Sequence, residues 1–253
     1  MRLRKLSSWF FAIVLVALGA NAMFLVLIQR AYQTVVAAQE HRQDALKLAN
    51  ELQQETEQLA SLVRSYTATG EPRYLVYYYD ILGVREGTRP APAQFQPRTY
   101  WDQVIAGRLP HTLPTDGARR AIGERMRSLG FSAQELAALD RVLAATEQMK
   151  RSEQIAFAAT QGLYNPATRE FVSDGTPRLD FAGELVNGQA YSALKADLSV
   201  AVDALVSMTD QRTRADVSAA EGSLQRWIAL SIASMAITIV AVAFALRVVR
   251  RGW

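Results

Sequence analysis

The 253-residue sequence contains no cysteine and only two histidines, His41 and His111. Without cysteine, the chain can form neither a disulfide framework nor a zinc ribbon. Two histidines so widely separated in the sequence do not indicate a metal site. We therefore expect no metal ion and no cofactor.

Motifs of the common enzyme classes are also missing. The chain has no P-loop, no glycine fingerprint for a dinucleotide, no His-Glu-x-x-His and no Gly-x-Ser-x-Gly. No pairing of a nucleophile with a base stands out either. We therefore expect no catalytic residue and no enzyme, and an ectoenzyme is the weakest of the alternatives considered.

Proline is absent from both ends of the chain, since all eight prolines lie between Pro72 and Pro177. Because proline breaks helices, long helices are expected on either side of this central part. Three apolar stripes with alternating three-and-four spacing predict three long helices, one on each side of the central part and one within it, since this spacing is typical of helices packed against each other. The stripes are Ala45, Leu48, Leu52, Leu59, Leu62 and Tyr66 (interrupted by Glu55), Leu136, Leu139, Leu143, Thr146 and Met149, and Tyr191, Leu194, Leu198, Ala201, Leu205 and Met208.

Charge is missing from two twenty-residue stretches, 9–28 and 227–246. At about 1.5 Å per residue, each helix would cover the roughly 30 Å hydrocarbon core of a bilayer. A cleaved signal peptide is the alternative for the first stretch, because Ala20-Asn21-Ala22 has the form of a cleavage site. The apolar run continues to Ile28, beyond the roughly 7–15 residues of a signal core, so an uncleaved anchor is favoured.

Basic residues at the outer ends of the two stretches predict the orientation. The positive-inside rule places both termini in the cytoplasm and the central part outside. The 28 basic residues include six at these ends, which leaves 22 against 24 acidic residues, a net charge of −2 for the central part. This balance does not support nucleic-acid binding, and we expect a protein of the bacterial inner membrane. The six are Arg2, Arg4, Lys5, Arg247, Arg250 and Arg251.

The predicted fold class is all-α: two transmembrane helices bracket an extracytoplasmic antiparallel helical bundle with an irregular membrane-distal cap. Glycine at Gly70 and proline at Pro72 predict the end of one helix and the start of the next. Ser132 and Glu135 form a capping-box pattern that starts another. The divisions are cytoplasmic tails at 1–8 and 247–253, transmembrane helices at 9–28 and 227–246, and a periplasmic domain at 29–226 with the cap at 72–131. Further predicted elements are a long helix from 133 to about 163, short helices at 73–85 and 116–129, a proline-rich connection at 87–97, and a hairpin around Asp174-Gly175.

Arginine, aspartate and aromatic residues are concentrated between Arg64 and Asp102. Aromatic rings give a small-molecule pocket its shape, and guanidinium groups orient a carboxylate or phosphate. The residue types alone favour the structural alternative, in which the rings fill a core and arginine–aspartate pairs fix loops. If a pocket exists, Arg85→Ala is expected to abolish binding with little loss of stability, as for an exposed arginine. The candidate ligand-binding residues are Arg64, Tyr66, Tyr78, Asp80, Arg85, Trp101 and Asp102.

Several segments between residues 49 and 215 resemble the periplasmic input region of a family of bacterial signal transducers. In that family two transmembrane helices bracket a helical sensor, and a histidine kinase, diguanylate cyclase or chemoreceptor output follows. The resemblance implies a sensor module whose output would lie beyond residue 253, and it names no ligand. The segments are R-x-Y-x-x-T-G-E-P-R-Y at 64–74, Y-Y-Y-D-I-L-G-V-R-E-G-T-R-P at 77–90, Y-W-D at 100–102, R-S-L-G-F-S-A-Q-E-L at 127–136 and G-L-Y-N-P at 162–166.

The expected partners follow from this interpretation. They are the lipid bilayer, a second copy of the chain, and either a small-molecule ligand or a periplasmic binding protein. The apolar stripes suit a homodimer, although they could equally be filled within one protomer. The alternative is a structural protein resembling polysaccharide chain-length regulators, which usually carry a proline-rich stretch beside the second span. No proline follows Pro177, which counts against this alternative.

Overall fold

A computed structural model of the protein describes residues 2–92 and 99–251. Helices make up 79% of the structure, so the predicted all-helical class is confirmed. Part of the predicted proline-rich connection, residues 93–97, lies outside the described residues. The described elements are α1 (Arg2–Thr69), α2 (Pro72–Glu86), α3 (Tyr100–Ile105), α4 (Ile122–Ser128), α5 (Ala133–Gln161), β1 (Tyr164–Asn165), β2 (Glu170–Phe171), α6 (Leu179–Asn187) and α7 (Gln189–Arg251).

Two of these helices, α1 and α7, are long and apolar enough to cross a membrane. Their most apolar windows lie within Val14–Thr69 and Gln189–Arg247 and have mean hydropathies of 1.8 and 2.4. Large apolar side chains in these ranges are exposed, for example Leu15 on α1 and Phe244 on α7. Because such surfaces are unfavourable in water, the exposed side chains support membrane association.

The described residues divide into two compact units. The first contains the described residues up to Gln43 and from Arg212 onwards, and the second is Asp44–Gln211. We call the second the helical unit. Within it, the Gln53 amide donates to Asp203 at 3.2 Å, and Lys195 bonds Glu57 at 3.1 Å. Since the partner numbers fall along α7 as they rise along α1, these segments of α1 and α7 are antiparallel.

Local sequence signals explain several helix ends. The Ser132 hydroxyl accepts from the Glu135 backbone N–H, and the Glu135 carboxylate accepts from the Ser132 N–H, so the predicted capping box is confirmed. Gly70 ends α1 with a φ of 69°, a conformation that favours glycine. Pro72 follows at the first turn of α2. These ends were predictable because each depends on neighbours in the sequence.

The hairpin predicted around Asp174-Gly175 is wrong in its position. Strands β1 and β2 pair antiparallel, and their turn precedes Glu170. The Asn165 side chain accepts from the Ala167 N–H at 3.0 Å, and the Arg169 N–H donates to the Asn165 carbonyl at 2.8 Å. Asn165 therefore makes the turn, because its short side chain can bond to its own backbone.

The short helix predicted at 116–129 is also wrong at its first residues. Helix α4 begins only at Ile122 and ends at Ser128. Gly117 has a φ of 154°, far from helical values. The chain therefore reaches α4 through an irregular segment.

Candidate functional site

Five polar side chains meet in the interior of the helical unit, and we call them the interior charge cluster. Each is at most 5% exposed, although charged residues are almost never buried unless they are paired. Glu55 comes from α1, Tyr78 and Arg85 from α2, Glu153 from α5 and Tyr191 from α7. The cluster therefore joins four helices through polar groups.

Glu153 accepts hydrogen bonds from two phenols. The Tyr191 hydroxyl donates to Oε1 at 2.7 Å, and the Tyr78 hydroxyl donates to Oε2. Burial raises the pKa of Glu153, while the two phenols, Arg85 and Lys150 act to lower it. Burial also raises the pKa of both tyrosines, so the phenols remain protonated donors. Both carboxyl oxygens of Glu153 are thus satisfied.

Arg85 is only 3% exposed, yet two of its nitrogen atoms, Nε and Nη1, have no hydrogen-bond acceptor. Arginine keeps its charge in proteins, so a full positive charge is buried here. The side chain lines a cavity of about 10 Å³ together with Thr56, Tyr78 and Glu153. That volume is about the minimum for one water molecule. A buried donor without a partner costs about 1–3 kcal/mol of stability, so such groups are rare in folded proteins.

Glu55 is the second member with an unsatisfied atom, since its Oε2 is buried without a hydrogen-bond partner. Burial raises the pKa of Glu55 to about 7, against the opposing effects of Arg85 and Arg125 and with a smaller contribution from Glu51. Glu51 itself bonds Arg125 at 2.8 Å. Near neutral pH, Glu55 is therefore divided between its neutral and ionised forms.

A second polar group surrounds His111, and we call it the histidine cluster. His111 Nε2 lies 2.7 Å from Asp80 Oδ2, and Nδ1 lies 2.8 Å from the Tyr100 hydroxyl. Arg89 forms an ion pair with Asp80. Because Asp80 can only accept, Nε2 carries the proton, and Nδ1 of the neutral ring accepts from Tyr100. Burial first, and then Arg89, lower the pKa of His111, which agrees with a neutral ring.

Aromatic rings enclose the histidine cluster. The ring centroids of Trp101, Tyr77 and Tyr100 lie 4.9, 5.3 and 5.9 Å from that of His111. Trp101 is only 1% exposed. These contacts attach the segment after α3 to helix α2, which is the structural role that aromatic residues and arginine–aspartate pairs often have.

The seven predicted ligand-binding residues are distributed over several places. Tyr78 and Arg85 belong to the interior charge cluster, and Asp80 and Trp101 to the histidine cluster. Tyr66 is buried against Phe157 and accepts from the Gln161 amide at 3.0 Å. The remaining two are exposed: Arg64 on α1, and Asp102, which accepts from Gln58 at 3.4 Å. The prediction that Arg85 is exposed is wrong, because its side chain is buried.

Glu55, Glu153 and Tyr191 of the interior charge cluster were not among the predicted site residues, and neither were His111 and its neighbours Arg89 and Tyr100. A sequence signal existed for the two glutamates. Glu55 interrupts the first apolar stripe, and Glu153 lies four residues after Met149, where the second stripe would continue. A charged residue at a stripe position is expected to be buried, and it then needs a partner. No comparable signal pointed to His111.

Comparisons with protein-family models, with curated proteins and with solved structures found no match. The resemblance to bacterial signal transducers therefore stays a prediction. Among the described residues, no group of three or more histidine or acidic side chains could hold a metal ion.

Proposed function

We propose that this protein is a membrane-anchored sensory module whose detecting element is the interior charge cluster. The observation that carries the proposal is Arg85, a buried cation with two donors that lack acceptors beside a small cavity. Replacing buried ionic groups with apolar residues is often neutral or stabilising, so stability alone does not account for such a cluster. Buried titratable groups with perturbed pKa values are more frequent at functional sites.

The helices that carry the cluster suggest how a signal would travel. Glu55 lies on α1 and Tyr191 on α7, and each of these helices also contains an apolar segment that could cross a membrane. A signal that changes the bonds among the cluster would favour one packing of α1 and α7 over another. Such a relay requires two packings of similar free energy that the signal stabilises differently.

The proposed sensor would lie in the bacterial inner membrane. The helical unit would be an antiparallel bundle with an irregular membrane-distal cap in the bacterial periplasm. Both termini would lie in the cytoplasm, and the protein would act as a homodimer. The arginine and lysine residues outside each apolar segment support the orientation. The output would be a cytoplasmic domain beyond residue 253, as the resemblance to bacterial signal transducers suggests.

Reporter fusions test this orientation. A reporter that is active only in the cytoplasm is expected to be active when fused after Arg250 and inactive when fused after Gly107. A periplasmic reporter should give the opposite result, because the basic residues hold both ends inside. Cytoplasmic activity at Gly107 would contradict the proposed arrangement.

Cysteine cross-linking tests the coupling between the cluster and α7. Single cysteines placed in turn from Ala215 to Leu224 are expected to cross-link two copies with a period near 3.5 residues. Tyr191→Phe should shift which positions cross-link, because it removes one hydrogen bond from Glu153 without changing the shape of the ring. Native cysteine is absent, so each cross-link comes from the introduced residue.

Tyr79→Phe is the matched control for this experiment. It makes the same chemical change at a ring that is 40% exposed, and the cross-linking pattern should not change. Uniformly low cross-linking at all ten positions would contradict the dimer. A periodic pattern unaffected by Tyr191→Phe would contradict the coupling and favour the structural alternative.

A further inference from the structure

We propose that the signal detected by the interior charge cluster is acidity, and that Glu55 is the proton-binding site. This inference rests on the proposed sensory function and names its ligand class. The proton would be exchanged with solvent water, so that the Glu55 carboxyl loses it to become a carboxylate and regains it in acid. The change of charge on Glu55 would then alter which carboxylate Arg85 is drawn to.

The charges around Glu55 show why the cluster holds one proton. Glu51 on α1, Arg85 on α2 and Arg125 on α4 act directly on Glu55. Beyond Arg85, Glu153 on α5 is a third carboxylate, on which Arg85 and Lys150 both act, and the phenols bonded to it are neutral. Lys150 is partly exposed and also pairs with Glu86 and Glu147, so Arg85 is the buried cation that Glu55 and Glu153 share. A buried carboxylate without a cation of its own is unfavourable, and one bound proton removes its charge because arginine does not titrate.

Hydrogen bonds decide which carboxyl group takes that proton. Glu51 already has a hydrogen-bonding partner, because it bonds Arg125 at 2.8 Å. The two oxygens of Glu153 accept from the Tyr191 and Tyr78 hydroxyls, which favours the carboxylate. Glu55 has an oxygen, Oε2, with no hydrogen-bond partner, so it loses least by becoming neutral. Its pKa of about 7, raised mainly by burial, agrees with this assignment.

Arg85 would couple the protonation of Glu55 to the packing of the helices. While Glu55 is neutral, Arg85 is attracted mainly to Glu153, which Tyr191 connects to α7. When Glu55 ionises, its carboxylate competes for the same guanidinium, whose Nε and Nη1 have no acceptor. The adjoining cavity leaves room for a small movement of side chains or for one water. Loss of the proton would thus strengthen the link between α2 and α1 at the expense of the link to α5 and α7.

An infrared titration of the full chain in lipid nanodiscs tests the proton site. The carboxylic-acid C=O band of a buried group is expected to disappear as pH rises, with a midpoint near pH 7. Glu55→Gln should remove this titration. Glu124→Gln, which changes an exposed glutamate of α4, should leave it unchanged. If the titration is missing from the wild type or persists in Glu55→Gln, the proposed site is wrong.

A second measurement in the same samples tests whether the proton moves the helices. Nitroxide labels on Q53C and D203C report the separation of α1 and α7, since the native side chains are hydrogen-bonded. The separation should change with the same midpoint in the wild-type background and stay constant in Glu55→Gln. A carboxyl titration without any change in separation would overturn acidity as the signal. If Glu55 does not titrate but Tyr191→Phe still shifts cross-linking along α7, this inference fails while the sensory function stands.

Discussion

Arg85→Ala is expected to lower the free energy of unfolding by about 3–5 kcal/mol near neutral pH, the usual cost of leaving a buried charge without its partner. Arg85 lowers the pKa of both Glu55 and Glu153, so its removal takes away the buried cation that the two carboxyl groups share. Keeping one such group neutral at pH 7, against a usual pKa of 4.5, costs about 3 kcal/mol. Urea unfolding of the full chain in detergent, followed by circular dichroism, measures the change.

The pH dependence distinguishes this explanation from a simple loss of packing. At pH 5 both carboxyl groups can take up protons at little cost, so the destabilisation by Arg85→Ala should be much smaller than at pH 7. Arg85→Met keeps most of the side-chain volume and should show the same pH dependence. Arg64→Ala is the control, because Arg64 is exposed and its removal should leave stability close to that of the wild type. An equal loss at both pH values would contradict the electrostatic explanation.

Glu55→Gln is expected to stabilise the protein at pH 8 relative to the wild type, by up to about 3 kcal/mol. The pKa of Glu55 is raised from 4.5 in the unfolded chain to about 7 in the folded protein. Its contribution to stability is therefore fully present below about pH 4.5, decreases as pH rises towards about 7, and is lost above that. Glutamine cannot ionise, so the variant avoids this loss, less any cost of its extra amide donors.

Unfolding experiments from pH 4.5 to 8 on the wild type and Glu55→Gln measure this difference. His111 acts in the opposite direction, since its lowered pKa makes the folded protein lose stability as pH falls through about 6.5. Both proteins contain His111, so the difference between their curves isolates Glu55. Glu124→Gln should follow the wild-type curve. Parallel curves for the wild type and Glu55→Gln would show that Glu55 is already ionised throughout this range.

Helix ends and apolar segments could be predicted because they depend on residues close together in the sequence. The capping box at Ser132 and the glycine at Gly70 are bonded to neighbours within four residues. The position of the hairpin was predicted wrongly because two turn signals, Asn165 and Asp174-Gly175, lie close together in the sequence, and the turn forms at the first. Asp174-Gly175 has the preferred turn composition, but a side chain at Gly175 would lie only 2.6 Å from the Gly162 carbonyl oxygen. That close approach cannot be predicted from the sequence.

By itself, the sequence determined that the protein is helical, that two helices are apolar enough to span a membrane, and where several helices end. It also placed Tyr78, Asp80, Arg85 and Trp101 in one polar and aromatic stretch. Only the tertiary structure decided that Tyr78 donates to Glu153, that Arg85 lines a cavity with Glu153, and that Asp80 and Trp101 meet His111. The physical reason is that helix formation is local, whereas burial of a charge depends on which distant helices pack around it. Glu153 is 75 residues from Tyr78 and 38 from Tyr191, and tertiary packing of the helices brings its two donors together.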